Sequence, residues 1–457
     1  MTSTSLVWFR KDLRLLDNVA FAKALGQHVH VILLYILEEE SVRGVQKWWL
    51  YHSLKALSQA LNRKGLQLTL RKGQAIHILS DLVQRHCVSA LYYNRCYEPW
   101  EQVRDQQINQ HLTAQGVDVY DRPGNLLIEP WETDRPQGFK VYTPFWNHIS
   151  KKLSSPPATV SLPVQAQGLV VDSQDLDSWL LTENAPDFSS YWTPGELGAC
   201  QKLEMFLEEG LPNYKKGRDF PASSAISGLS PYLHFGEIHI WRVFEAVKQQ
   251  GSPSDCELCF LKELGWREFA YHTLYHFPEV FQRNLRKEFD HFFWDDHPER
   301  LKKWQQGLTG YPMVDAGMRQ LLCTGFMHNR VRMIVASFLT KDLLIDWRLG
   351  AEWFLEHLLD GDLASNSMNW QWCAGTGIDA SPYFRIFNPV LQSQKFDPSG
   401  EYIRQWVPEL RGLSDDRIHI PWDSHLYHDY PAPVVQHNNQ RAQALRRYAD
   451  IRQAVDS

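Results

Sequence analysis

Several features are missing from this 457-residue chain, and each absence excludes something. No apolar run reaches about 18 residues, so no helix is expected to cross a membrane. The opening MTSTSLVWFRKDLRL has no long apolar core of a secretory signal, and a cytoplasmic location is expected. Cysteine is sparse: the seven residues Cys87, Cys96, Cys200, Cys256, Cys259, Cys323 and Cys373 are scattered and odd in number. That pattern excludes a secreted disulfide framework and suits a reducing compartment. Basic charge is not in excess either, with 47 Lys and Arg against 53 Asp and Glu and a net charge of −6. A protein that coats nucleic acid by bulk charge is excluded, while a local basic face is not. Neither GxGxxG nor GxxxxGK[ST] occurs, so any ligand is held without the usual dinucleotide and phosphate loops.

What the chain does have is aromatic residues. Its 18 Trp, 18 Tyr and 22 Phe include ten Trp from Trp241 onward, four of them between Trp347 and Trp372. Such a density reads either as a large core with amphipathic anchors or as a site that stacks flat rings and moves charge between them. Hydrophobic residues at 44% and charged residues at 22% are ordinary for a globular protein.

The first 135 residues alternate apolar runs (Leu6–Phe9, Val29–Ile36, Leu66–Leu70, Ala90–Tyr93, Val117–Tyr120) with helical periods near 18–25, 46–63, 75–87 and 102–115. Strands separated by helices predict a doubly wound parallel sheet. Residues 136–192 read as a long connector, rich in Ser, Pro, Gln and Asp from Lys151 to about Trp192. From 193 to 457 the pattern is almost wholly helical, giving an α/β domain followed by an all-α domain.

Three constellations carry chemistry. Glu263, Trp266 and Arg267 lie at i, i+3 and i+4 and share a helix face, as do Asn329, Arg332 and Met333. The turn Asp360-Gly361-Asp362 ends an apolar helix with carboxylates suited to ribose hydroxyls, a metal or capping. The lone pair Cys256 and Cys259, and the stripe Glu268, His272, His276, read as structural and not as metal sites.

The motifs LVWFRKDLRL (6–15), LSPYLHFG (229–236), WREF (266–269), GYPMVDA (310–316), MHNRVRM (327–333), and Asp360 through Trp370-Gln371-Trp372 to YFRIFNP (383–389) resemble the photolyase/cryptochrome family throughout the chain. The resemblance is strongest to class I cyclobutane pyrimidine dimer photolyases. It implies an N-terminal antenna domain, a linker and a helical domain holding FAD, in a monomer that acts on UV-damaged DNA. Tyr214, Ile226, Ser227, Gly228, Leu229 and Ser230 would lie near the flavin phosphates. Arg332, Asp360, Gly361 and Asp362 would face the ribose and the ring edge, with Arg332 paired to Asp360, and Asn366 would sit at the flavin N5. Ile226 stands where the family commonly has Thr, which removes one hydroxyl from the cradle.

By the same resemblance, Glu263, Trp266, Asn329, Met333 and Trp372 would form the dimer pocket. Six-four photolyases carry His where Asn329 and Met333 stand. Trp370, Trp347 and Trp294 would relay electrons, and Arg267, Arg330 and Gln392 would contact the DNA strand. The activity implied is light-driven splitting of a flipped-out dimer by electron transfer from reduced FAD. The alternatives are a cryptochrome-like blue-light receptor and a light-independent DNA-binding protein. An antenna chromophore, 5,10-methenyltetrahydrofolate or 8-hydroxy-5-deazaflavin, is expected near Glu98-Pro99-Trp100-Glu101 and Tyr142–Trp146.

Overall fold

A computed structural model describes residues 4–39, 41–153, 167–183, 185–250, 254–423 and 430–456. Contacts divide the chain into two compact units. The first holds Met1–Gly138, Thr143–Pro212 and Ser227–Tyr275; the second holds Phe139–Tyr142, Asn213–Ile226 and His276–Ser457.

In the first unit, apolar runs become strands β1 (Thr4–Phe9), β2 (His30–Leu37), β3 (Leu68–Lys72), β4 (Val88–Asn94) and β5 (Asp118–Arg122). The helical periods between them become α1 (Val19–Gln27), α2 (Gln46–Asn62), α3 (Ala75–His86) and α4 (Pro99–Ala114). All pairings are parallel, in the order β3-β2-β1-β4-β5, with Leu6 opposite Ile32 and Leu91. The order reverses between β1 and β4, as in doubly wound folds. Strand residues Leu6, Trp8, Ile32, Leu34 and Leu91 pack with Leu79 and Leu82 of α3 and Ile108 and Leu112 of α4. Burying both sheet faces explains why these strands read as continuous apolar runs.

The stretch read as a connector is more ordered than its composition suggests. It contains α5 (Tyr142–Ile149) and a two-residue strand β6 (Gln167–Gly168) that joins the sheet beside β2. Two residues are too few to show a period of two, so the strand is invisible in the sequence. Residues 154–166 of this stretch lie outside the described residues. The boundaries at 135 and 192 rest on composition, whereas contacts group the chain by packing. Helices α6 (Glu196–Met205), α8 (Ser230–His234), α9 (Ile240–Lys248) and α10 (Asp255–His276) pack with the sheet unit; α7 (Tyr214–Gly217) falls in the second.

The second unit is built from α11 (Pro298–Gln306), α12 (Pro312–Thr324), α13 (Asn329–Ser337), α14 (Trp347–His357), α15 (Leu363–Ala374), α16 (Pro389–Phe396), α17 (Glu401–Trp406) and α18 (His437–Asp456). Its core gathers Trp304, Trp347 and Trp370 with Phe354, Leu339 and Met318, and Trp294, Met333 and Trp372 pack against that core half-buried. Two helix boundaries differ from expectation. The sequence period starts a helix at His328, but His328 is the N-cap of α13. Beyond the Asp360–Asp362 turn a new helix, α15, begins, hidden in the sequence because Ser, Asn and Trp blur its apolar stripe. Among the described residues, no helix is long and apolar enough to cross a membrane.

Candidate functional site

The second unit brings several of the singled-out residues to the adjoining ends of α13, α14 and α15. His328 starts α13 by accepting the Arg330 N–H on Nδ1 at 3.2 Å. Burial, with help from Arg332, Arg330 and Arg218 against the opposing Asp219, pushes its pKa down to about 4. The imidazole is therefore neutral near pH 7 and its Nδ1 is committed to the helix.

One turn on, Arg332 Nη2 contacts both oxygens of Asp360, at 3.0 and 2.9 Å, and Nε donates to the Met327 carbonyl at 2.7 Å. Asp362, two residues beyond Asp360, is the N-cap of α15 and accepts the Ser365 N–H at 2.7 Å. The two carboxylates of the turn thus do different work: one holds an arginine, the other starts a helix, with Gly361 between them.

Asn366 lies on the first turn of α15 and donates Nδ2 to the Ala351 carbonyl at 2.9 Å. A carbonyl can only accept, so the amide nitrogen must face Ala351 and Oδ1 must face away. Among the described residues no donor bonds that oxygen. The motif that singled out Asn366 is local, whereas its partner Ala351 lies on α14 and carries no side-chain signal.

On α13, Asn329 is exposed, while Arg330 and Met333 are half-buried. Arg330 Nη2 reaches Asp219 at 2.7 Å, its guanidinium carbon lies 4.5 Å from the Phe396 ring centre, and Nη1 lies 3.6 Å from the Met333 sulfur. Tyr214 is buried, with the Arg218 guanidinium 5.5 Å from its ring centre. Gln392 on α16 is half-buried.

Trp347 is wholly buried and donates Nε1 to Asn284 at 2.9 Å. Trp370 packs edge-on against Phe354 at 5.0 Å and Trp304 at 6.2 Å. Trp294 lies 4.5 Å from Phe292. Trp304 and Asn284 are neighbours that the motifs did not single out. Nothing in their local sequence separates them from ordinary core residues.

The first unit carries the other set. Glu263, Trp266 and Arg267 are half-buried on α10, and Trp266 packs edge-on to Phe269 at 5.9 Å. Glu268 beside them is fully buried, and desolvation raises its pKa to about 7 against the pull of Arg267.

At the turn Ser227–Ser230, Ser227 Oγ accepts the Leu229 N–H at 3.4 Å. Gly228 has φ +62°, and a Cβ there would lie 2.7 Å from Lys202 Cε and 3.4 Å from Nζ. The lysine end is flexible and could shift, so it is the left-handed φ that favours glycine at this turn. Leu229 is buried, Ser230 is exposed, and Ile226, half-buried in the second unit, brings no hydroxyl.

In the segment proposed for an antenna, Glu98 caps α4 and both Glu98 and Glu101 pair with Lys11, while Trp100 stays 43% exposed. Those two carboxylates are thus already engaged.

Comparison with known proteins gives this geometry its context. A family model described as DNA photolyase matches residues 5–164, and one described as the FAD binding domain of DNA photolyase matches residues 260–450. The chain is 44% identical to the deoxyribodipyrimidine photo-lyase of Agrobacterium fabrum over 99% of both chains. It superposes on a bacterial class III photolyase from Agrobacterium tumefaciens with a TM-score of 0.94 and 45% identity, covering 99% of this chain and 98% of the other. It also superposes on an archaeal photolyase from Sulfolobus tokodaii, solved with two FAD molecules, with a TM-score of 0.87 and 30% identity over 98% and 100% of the two chains. The sequence motifs lead to an expectation of class I, whereas the Agrobacterium structure is described as class III, so class I membership is not what the similarity supports.

The residues present fit FAD. Within the second unit, Asn366 presents an unbonded amide oxygen and the Arg332–Asp360 pair lies at the turn before it. These offer an acceptor for a ring N–H and polar groups for ribose hydroxyls. With relatives of this identity along its whole length, the chain belongs to the photolyase/cryptochrome family, as one of its deoxyribodipyrimidine photo-lyase enzymes.

Proposed function

We propose that this enzyme repairs cyclobutane pyrimidine dimers in DNA under light. The observation that carries the dimer class is the state of α13. Six-four chemistry needs an acid–base imidazole, and this helix carries Asn329 and Met333 at the two positions of interest. The nearby imidazole of His328 is buried, held neutral near pH 7, and has its Nδ1 engaged in capping. The class I likeness is kept only for this choice of lesion.

When bound, reduced FAD supplies a light-excited electron donor. The chain's own residues would do the rest. Asn366 would accept a hydrogen bond from the flavin N5–H without adding charge. Arg332, Asp360, Gly361 and Asp362 would hold the ribose and ring edge, and Tyr214, Ile226, Ser227, Gly228, Leu229 and Ser230 the phosphates.

Trp266 and Trp372 would each pack against a pyrimidine ring, with Met333 as a pliable neighbour and Asn329 bonding a base edge. Glu263 would share a proton with a pyrimidine carbonyl and so stabilise charge arriving on the lesion. Arg267, Arg330 and Gln392 would contact the strand. Trp370, Trp347 and Trp294 would relay an electron inward through the core. An antenna chromophore, methenyltetrahydrofolate or a deazaflavin, would absorb in the first unit, and the absorption spectrum of the native protein distinguishes the two.

The test is to illuminate the reduced holoprotein with a thymine-dimer oligonucleotide and follow dimer loss. Loss is expected, and its absence leaves the light-receptor reading in its place. Glu263→Ala should slow splitting about tenfold or more while the bound flavin keeps its colour. Full-rate repair by that variant removes Glu263 from the chemistry.

A further inference from the structure

The roles above leave Glu268 unused, although it is 2% exposed and adjacent to Arg267 on α10. Its Oε2 accepts the N–H groups of Leu127 at 2.9 Å and Ile128 at 3.2 Å, and its Oε1 faces Arg267 Nη1 at 3.4 Å. The same Nη1 donates to the Asn125 carbonyl at 2.8 Å, and the guanidinium carbon lies 4.9 Å from the Tyr271 ring centre.

Asn125 is itself held on both sides. Its Nδ2 donates to the Leu233 and Ile238 carbonyls at 3.0 and 3.2 Å, and its Oδ1 accepts the Ile240 N–H at 2.9 Å. One nitrogen of Arg267 is therefore anchored to a rigid frame. Among the described residues, no acceptor takes its Nε or Nη2. A free arginine loses much rotamer freedom on binding a phosphate, and an anchored one has already lost it.

We propose that Glu268, with Asn125, is a positioning residue that holds Arg267 by one nitrogen and leaves its other donors turned to the phosphates of the bound strand. The proposal rests on the reading of Arg267 as a DNA contact.

Glu268→Gln tests it with opposed signs. The glutamine oxygen can still accept from Leu127 and Ile128, but its NH2 then faces Arg267 Nη1, donor against donor. In buffer above pH 7, where Glu268 is mostly ionised, removing its charge beside a DNA-binding arginine should by charge alone tighten DNA binding. Lost positioning should weaken it, by about three- to tenfold in Kd for a thymine-dimer oligonucleotide bound in the dark by the holoprotein.

The same substitution in an Arg267→Ala background should change nothing further. Arg267→Ala alone should make the slope of log K against log salt shallower by about 1. Unchanged or tighter binding by Glu268→Gln overturns the proposal. So does an equal loss in both backgrounds, or loss of bound flavin, since either marks a merely structural carboxylate. If Arg267→Ala binds as the unmodified protein does, Arg267 is not a DNA contact and the positioning role falls with it, while dimer repair itself is judged by the illumination assay.

Discussion

Gly350 shows how one missing methyl group links packing to the proposed electron relay. It lies in α14 on the buried side, and a Cβ there would sit 2.2 Å from Trp370 Cη2 and 2.6 Å from Leu339 Cδ2. Helix propensity alone favours alanine over glycine by about 1 kcal/mol. Overpacking a filled core costs about 1–3 kcal/mol, and here the obstruction is a rigid indole. Gly350→Ala is therefore expected to lower Tm and to displace Trp370. Thermal unfolding measures the first effect, and the rate of light-driven flavin reduction the second. A higher Tm would mean that the indole moves aside at no cost.

At the scale of an element, α13 depends on the protonation state of its cap. His328 Nδ1 accepts the Arg330 N–H, and a protonated Nδ1 cannot. Its pKa is about 4 in the folded protein, against an ordinary value of 6.5. As pH falls below 6.5 the unfolded chain takes up this proton and the folded protein does not. The contribution is present above pH 6.5 and is lost as pH falls toward about 4, by an amount on the order of 3 kcal/mol.

Asparagine caps helices as well and does not titrate. His328→Asn should therefore flatten the stability profile between pH 6.5 and 4 relative to the unmodified protein. Parallel profiles, measured by urea unfolding at several pH values, would show that the cap is not what acid disturbs.

For the whole molecule, the net charge of −6 is joined by internal pairing of many arginines. Arg332 contacts Asp360, Arg319 contacts Glu409 and Arg404 contacts Asp415. With the net charge negative, bulk attraction to undamaged DNA should be weak. If Arg267 and Arg330 carry the phosphate contacts, log K for a dimer-containing oligonucleotide should fall against log salt with a slope of about −2. A slope several times steeper would require a basic surface that these two arginines do not provide.

Much of this architecture was legible beforehand. Apolar runs alternating with helical periods announced a parallel sheet, because strands buried on both faces must be apolar throughout. The motifs from Leu6 to Pro389 announced the family, and the Arg332–Asp360 pair was expected from them. Other features were not legible. β6 is too short to show a period, α15 has a blurred stripe, and α5 is only eight residues long.

The direction of side chains also depended on distant partners. Asn366 is oriented by a carbonyl 15 residues away, Arg267 by one 142 residues away, and Glu268 by an N–H 141 residues away. By itself the sequence determined which residue types were available, which elements they form and which family they mark, since these depend on local periodicity and motif. Only the tertiary structure decided that the amide oxygen of Asn366 stays open, which nitrogen of Arg267 is anchored and why residue 350 must be glycine. A hydrogen bond or a close contact is set by the partner that folding brings up, and that partner leaves no mark in the neighbouring sequence.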